Sequence, residues 1–470
     1  MSKEKLDTKE KALQINMDAK KYGTFAEIGA GQEVARWFFH VGKASGTVAK
    51  TISAYDMAVS DAIYGPAERY VSRKRLRAML DLEFSLLLQR LDKTRGDKVH
   101  FFAFADTVAT RRDEGHGWLG VKFQTEHREE PSSIIIHVRM MDKESVDQQE
   151  ALGIIGVNLI HAAFYHYSNP EELIGSLLDG LTSSRVEVDM IKFAGPAFVG
   201  VDNRLMALQL VQQWLTEAAM FTAEGESIIP SELLWKKPVL LERGSFRPLT
   251  NPMLDMLERA GEQFLTNPAL QGIPPVVMFE MTLRQLQVGD AINHRDFLDR
   301  VDTLSALGKP VLISNFLRYH RLVTYLTRQT DKPIGLPIGL VRLRDVFDEK
   351  FYTDLPGGLM ESLGQLFKNG AKLYVYPSLD RKTGKLTTVE NMDVAPHLRH
   401  LYAHLVENKF IENITSYNAQ HLSIYSSDVL EKIKAGDETL VNLIPPAIFE
   451  VIRAKHLFGW PESKLAPVPA

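Results

Sequence analysis

From Lys236 to Tyr376 the chain repeats one pattern: a short apolar run, a polar exit, then a stretch with helical period. The apolar runs are Val239–Leu241, Val276–Phe279, Val311–Ile313, Ile334–Leu340 and Leu373–Tyr376. Between the second and third, Phe297, Leu298, Val301 and Leu304 share one face of a helix over Asp296–Leu307. Strands so short and so uniformly apolar are covered on both faces, and parallel neighbours need a crossover helix. The pattern predicts an α/β domain built on a doubly wound, mainly parallel five-stranded sheet.

The first half reads as a second α/β domain. A strand at Thr24–Ile28 runs into Gly29-Ala30-Gly31 and a helix over Gln32–Val41, and a long helical region follows, closing at Arg95-Gly96-Asp97. Strands are expected at Lys98–Asp106, Trp118–Phe123, Ile134–Met140 and Val186–Phe193, with helices at Ser145–His166 and Leu205–Thr222. The expected division is 1–21, a solvated helical lead-in; 22–230 and 231–385, the two α/β domains; 386–460, a helical extension; and 461–470, a loose proline-rich tail.

Composition excludes several function classes. Among 470 residues there is no cysteine, which removes disulfides, thiolate metal sites and a Cys nucleophile. With 55 basic and 59 acidic residues the net charge is −4, so no basic excess favours nucleic acid as a partner. Met1 to Lys21 is charged and amphipathic rather than a secretory leader, and Leu152–Tyr165 carries Asn158 and His161 and is too short to span a bilayer. A cytoplasmic location with no membrane span is expected. Phosphate-loop, nucleophile-elbow and H-E-x-x-H patterns are missing.

In a parallel sheet, ligands bind beyond the carboxyl ends of the strands. The polar residues there are Glu242, Arg243, Ser245 and Arg247; then Glu280 and Thr282; then Ser314, Asn315, Tyr319 and His320. Carboxylates, guanidinium forks and hydroxyls in that position suit a phosphorylated ligand or nucleotide; the plainer reading is that the acids and arginines pair to hold the loops. Gly29 and Gly31, between a strand and a helix, would let a ligand approach the backbone, although Val34 replaces the third glycine of the dinucleotide pattern. A helix start that needs glycine for geometry explains the same turn. Asp106 ends a strand ahead of Arg111 and Arg112, while His137 and Arg139 alternate on a later one, as a second polar cleft or a solvated strand face. His397, His400 and His404 form a helical stripe, but His404 is about 10 Å along the axis from His397, so one ion cannot take all three. His397 and His400 alone could grip one ion, which gives a further reading as a metal-dependent enzyme. Pro396 at the helix start explains the local order without a metal, and no metal site is assigned.

Six segments carry a resemblance: Phe25–Phe38, Ser53–Gly65, Phe101–Thr107, Asp202–Gln209, Leu241–Pro248 and Val429–Gly459. Across nearly its whole length the chain resembles a family of bacterial proteins whose members carry one of two labels, nicotinate-nucleotide adenylyltransferase or TonB-dependent receptor. A receptor of that type needs an export signal and about 22 alternating strands, and the sequence has neither. The other label implies nucleotidyl transfer, with Mg²⁺ a possible cofactor. The H-x-G-H element of those enzymes has no counterpart here, since His116-Gly117-Trp118 does not match, and Thr182-Ser183-Ser184-Arg185 is a poor copy of their second motif.

The leading expectation is a protein that binds a nucleotide or phosphometabolite, with Glu242 and Glu280 as catalytic carboxylates. Arg243, Ser245, Arg247, Ser314, Asn315, Tyr319, Gly29, Gly31 and Asp106 would be its ligand-binding residues. The alternative is a non-catalytic scaffold that self-assembles into a homo-oligomer through its helical extensions.

Overall fold

In a computed structural model that describes residues 5–111, 115–289 and 291–462, the chain is an α/β protein of two compact units, residues 1–219 and 220–470. Arg112 and the tail from residue 463 lie outside the described residues.

The first unit is built on a six-stranded sheet of β1 (Lys21–Ile28), β2 (Val48–Ile52), β3 (His100–Ala109), β4 (Gly115–Phe123), β5 (Ser132–Met140) and β6 (Val186–Ala194), in the order β2-β1-β3-β4-β5-β6. β1 runs parallel to β2 and β3, and the remaining pairs are antiparallel. One face carries Phe25, Phe102, Phe104, Leu119 and Val121 into the core beneath the helix Ser145–Tyr165, which is apolar nearly all round and correspondingly buried. The other face receives the helix Arg73–Arg95, where Gly120 lies directly under Leu76 and Leu80. The N-terminal helix Thr8–Met17 is not a solvated lead-in. Lys11 is 2% exposed and bridges Asn158 and Asp179, so this helix is part of the core.

The second sheet has eight strands rather than the expected five: β7 (Ala218–Phe221), β8 (Ser227–Ile228), β9 (Val239–Arg243), β10 (Val276–Thr282), β13 (Val311–Ser314), β14 (Ile334–Gly339), β15 (Lys372–Tyr376) and β18 (Ile411–Asn413). Two small hairpins, β11 (Gln287–Val288) with β12 (Ala291–Ile292) and β16 (Ser378–Leu379) with β17 (Leu386–Thr387), stand apart from it. The order is β18-β15-β14-β9-β10-β13-β7-β8. From β9 the chain builds outward through β10 and β13, then crosses back to add β14, β15 and β18 on the other side, with parallel pairing at each of these steps. This is the 3-2-1-4-5-6 order of doubly wound sheets, and its direction reverses between β9 and β14. The extra strands escaped sequence reading for physical reasons. β8 and β18 are only two and three residues long. β7 is a fully buried run that continues the apolar pattern of the helix Asn203–Gln212 ahead of it.

The segment after 385 is more than a helical extension. It supplies the edge strand β18, and its helix Pro446–Lys455 packs on the helix His294–Ser305, where Phe458 N–H donates to Asp299 at 2.7 Å.

Candidate functional site

The site begins at the last residue of β9. Arg243 and Glu280 are opposite one another in the β9–β10 register, so their side chains leave the same face together. Arg243 Nε and Nη2 donate to the two Glu280 carboxylate oxygens at 2.7 and 2.8 Å, and Ser314 Oγ donates to Glu280 Oε1 at 2.5 Å. The arginine side chain is 6% exposed and the glutamate 0%. Burial pulls the Arg243 pKa down, but the charge and hydrogen bonds of Glu280 more than offset it, and the guanidinium is held charged. Its carbon lies 4.6 Å from the centroid of the Tyr319 ring, whose phenol is pushed up to about 12 by burial. Gly244 lets the chain turn here: a Cβ would come within 2.7 Å of the Phe246 ring, which tucks against Phe279.

Above this pair lies a cleft of about 460 Å³, lined by residues that follow β9, β10, β13 and β14. It therefore sits at the carboxyl edge of the sheet and spans the point where strand order reverses. Arg243, Ser245 and Thr282 line it, and around them stand Arg284, Arg318 and Arg342. The Arg318 guanidinium lies over the Phe351 ring, 4.5 Å from its centroid, while its Nε donates to the Phe351 carbonyl. Arg342 pairs with Asp345 at 3.1 Å. Among the described residues, neither Arg284 nor Arg318 has an acidic partner. Two more helices start at this edge, Tyr319–Leu326 and Leu340–Val346, and neither has a side-chain cap on its first N–H groups.

The loops are fixed from below. Arg300 is 2% exposed and grips Asp296 with Nε and Nη2, while its Nη1 donates to the carbonyls of Ser245 and Gln285. Asp296 also accepts from Arg247 Nε at 2.5 Å. Arg247 thus supports the loop and does not line the cleft.

Of the residues expected from sequence, Arg243, Ser245 and Tyr319 line the cleft, and Glu280 and Ser314 lie behind Arg243. Glu242 leaves the opposite face of β9, as adjacent strand residues must. It is 1% exposed, its Oε2 has no hydrogen-bond partner, and burial raises its pKa well above the usual carboxylate range. Asn315 is half-buried and does not line the cleft. Neither carboxylate therefore offers the cleft a free oxygen.

Gly29, Gly31 and Asp106 belong to the first unit. Gly29 has φ +108°, and a Cβ there would fall 1.8 Å from the Val108 carbonyl oxygen, so close strand approach requires glycine. The helix start beyond the turn is already occupied by a side chain: Glu27 accepts from the N–H groups of Val34 and Ala35, both at 2.9 Å. Asp106 is its register neighbour on β3, accepts from Ile28 N–H at 3.2 Å, and leaves Oδ2 unpaired. On the other face, His137 Nδ1 lies 2.6 Å from Asp189 and its Nε2 3.4 Å from His116 Nδ1. Arg139 pairs with Glu187 beside them.

No family model matches the chain, and none of the curated proteins matches it. Among solved structures it is similar to the competence/damage inducible protein CihA from Agrobacterium tumefaciens, at 18% identity over 34% of this chain and 98% of that one, with a TM-score of 0.26. A competence-damaged (CinA) superfamily protein from Enterobacter cloacae is similar at 11% identity over 35% and 95% of the two chains, with a TM-score of 0.25.

His397 forms an exposed pair with Glu349 at 2.8 Å, and His404 is engaged by Asn408. Among the described residues no group of three His, Asp or Glu side chains could hold a metal ion, and no helix is long and apolar enough to cross a membrane. Sequence reasoning missed Arg284, Arg318 and Arg342. Their signal was present: each lies within four residues of the end of β10, β13 or β14.

Proposed function

We propose that the chain binds a phosphorylated metabolite or nucleotide in the cleft at the carboxyl edge of its second sheet. The observation that carries this reading is the pair Arg284 and Arg318, two guanidinium groups without acidic partners among the described residues, beside the ion-paired Arg243 and Arg342. Cations gathered at a strand-order reversal, with the uncapped start of the helix Tyr319–Leu326 beside them, form an anion receptor. The cleft volume falls within the range of small-molecule sites. The resemblance to a bacterial family some of whose members are labelled nicotinate-nucleotide adenylyltransferase favours a nucleotide over other phosphate esters.

A thermal-shift panel of nucleotides, sugar phosphates and inorganic phosphate tests the reading, with Arg284→Met and Arg318→Met as controls. The native chain is stabilised by at least one phosphorylated compound, and both variants lose most of that shift. If no phosphorylated compound stabilises the native chain, the reading is wrong.

A further inference from the structure

Nucleotidyl transfer would ordinarily place Mg²⁺ on a carboxylate beside the phosphates. The residues present do not fit that ion. Both oxygens of Glu280 are taken, by the Arg243 fork and by Ser314. Recruiting Glu280 to a metal would strand a buried guanidinium without its counter-charge, which is strongly destabilising. Glu242 leaves the other face of β9. Among the described residues lining the cleft the one acid is Asp345, which is held by Arg342. A divalent cation entering there would meet four arginines and a single engaged carboxylate.

We infer that the cleft recognises a phosphate monoester dianion through its arginines, without a divalent cation. This inference rests on the phosphate-binding reading above and narrows it. Two guanidinium groups free of carboxylate partners among the described residues match the charge of a monoester, which is close to −2 at neutral pH. Arg318 is already held over the Phe351 ring and by the Phe351 carbonyl, which leaves its two terminal nitrogens to meet phosphate oxygens. A triphosphate carries more charge than these two groups offset and needs the metal that the cleft cannot hold. Leu317, Val346, Phe351 and Tyr352 make the remaining wall apolar and aromatic, suited to the ring or alkyl part of the ester.

Isothermal titration of the full chain with phenyl phosphate, AMP and ATP, in excess EDTA and again in excess MgCl₂, tests this. The monoesters bind equally in both conditions. Affinity drops about tenfold or more in Arg284→Met and in Arg318→Met, and it weakens below about pH 6 as the dianion takes up a proton and becomes a monoanion. Monoester binding that disappears in EDTA, or binding of ATP with Mg²⁺ alone, overturns the inference and leaves the broader reading standing. Absence of binding by all three compounds overturns both. Arg284 is exposed, so its variant is expected to fold, and matched unfolding curves for variant and native chain confirm that lost affinity comes from the cleft.

Discussion

Arg300 reaches from its helix to the Ser245 carbonyl at 3.0 Å, tying the exit of β9 to the helix that follows β10. The same guanidinium holds Gln285 at 2.9 Å and Asp296 at 2.8 Å, so one buried cation sets the distance between two cleft-lining loops.

Arg300→Met should accordingly cost the second unit about 3–5 kcal/mol, the usual result of removing one partner from a buried ion pair. Asp296→Asn added to it should recover part of the loss, because the stranded carboxylate goes too. Urea unfolding of the two variants decides the point. A double variant no more stable than the single one would show that the pair is not the source of the cost.

The Glu280 cluster makes a ranking test. Ser314→Ala removes one hydrogen bond to a charged group, about 1.5–3 kcal/mol, whereas Arg243→Met leaves a buried carboxylate unpaired and should cost more, roughly 3–5 kcal/mol. Equal losses in chemical denaturation would contradict the assignment of Arg243 as the principal counter-charge.

Glu27 and Asp106 together contribute stability to the first unit that is lost as pH rises from acid to neutral. Burial pushes Glu27 from 4.5 up to about 7, and burial, with Glu27 beside it, raises Asp106 well above the usual carboxylate range. Both folded values exceed the unfolded ones, so the folded form binds more protons in the window between them. Their stabilisation is complete below about pH 4 and is lost as pH climbs through the raised folded values, about 7 for Glu27. Asp106→Asn should stabilise the unit at pH 8 by on the order of 1 kcal/mol, roughly 2–4 °C, and change little at pH 5. Thermal unfolding at the two pH values reads this directly, and identical shifts at both would remove the buried carboxyls as the cause.

Gly29→Ala should destabilise the first unit by about 3 kcal/mol or more, through positive φ and a clash with the Val108 carbonyl. Gly31 has φ +85° but open space, with the nearest atom 3.9 Å from where an alanine methyl would stand, so Gly31→Ala should cost only about 1 kcal/mol. Melting temperatures of the two variants provide the comparison, and a reversed order would refute the close-approach explanation.

Sequence legibility followed burial. The runs that became β9, β10, β13, β14 and β15 are almost entirely buried, and each left an apolar signature. β2 was absorbed into a helical region because all five of its residues are only half-buried, and an edge strand of that kind leaves no period-two signal. β7 failed the opposite way: a four-residue apolar run cannot be told from the end of a buried helix. At the cleft, strand-end position located Arg243, Ser245 and Tyr319. Position alone could not reveal that Glu242 faces away or that Glu280 is already taken, because strand parity and cross-strand pairing decide both. Arg284, Arg318 and Arg342 sit past the strand ends, on helix starts, where arginine is common on solvated surfaces and its convergence depends on tertiary structure.

The central place of β9 has a consequence for synthesis. Val239 pairs with Ile334, so a nascent chain must carry Arg284 and Arg318 out of the ribosome well before the strand leading to Arg342 can dock. Any product that stops short of β14 would present an open, half-walled sheet with its middle strand as a bare edge. Aggregation of such fragments through the bare edge, rather than partial function, is the outcome this topology favours.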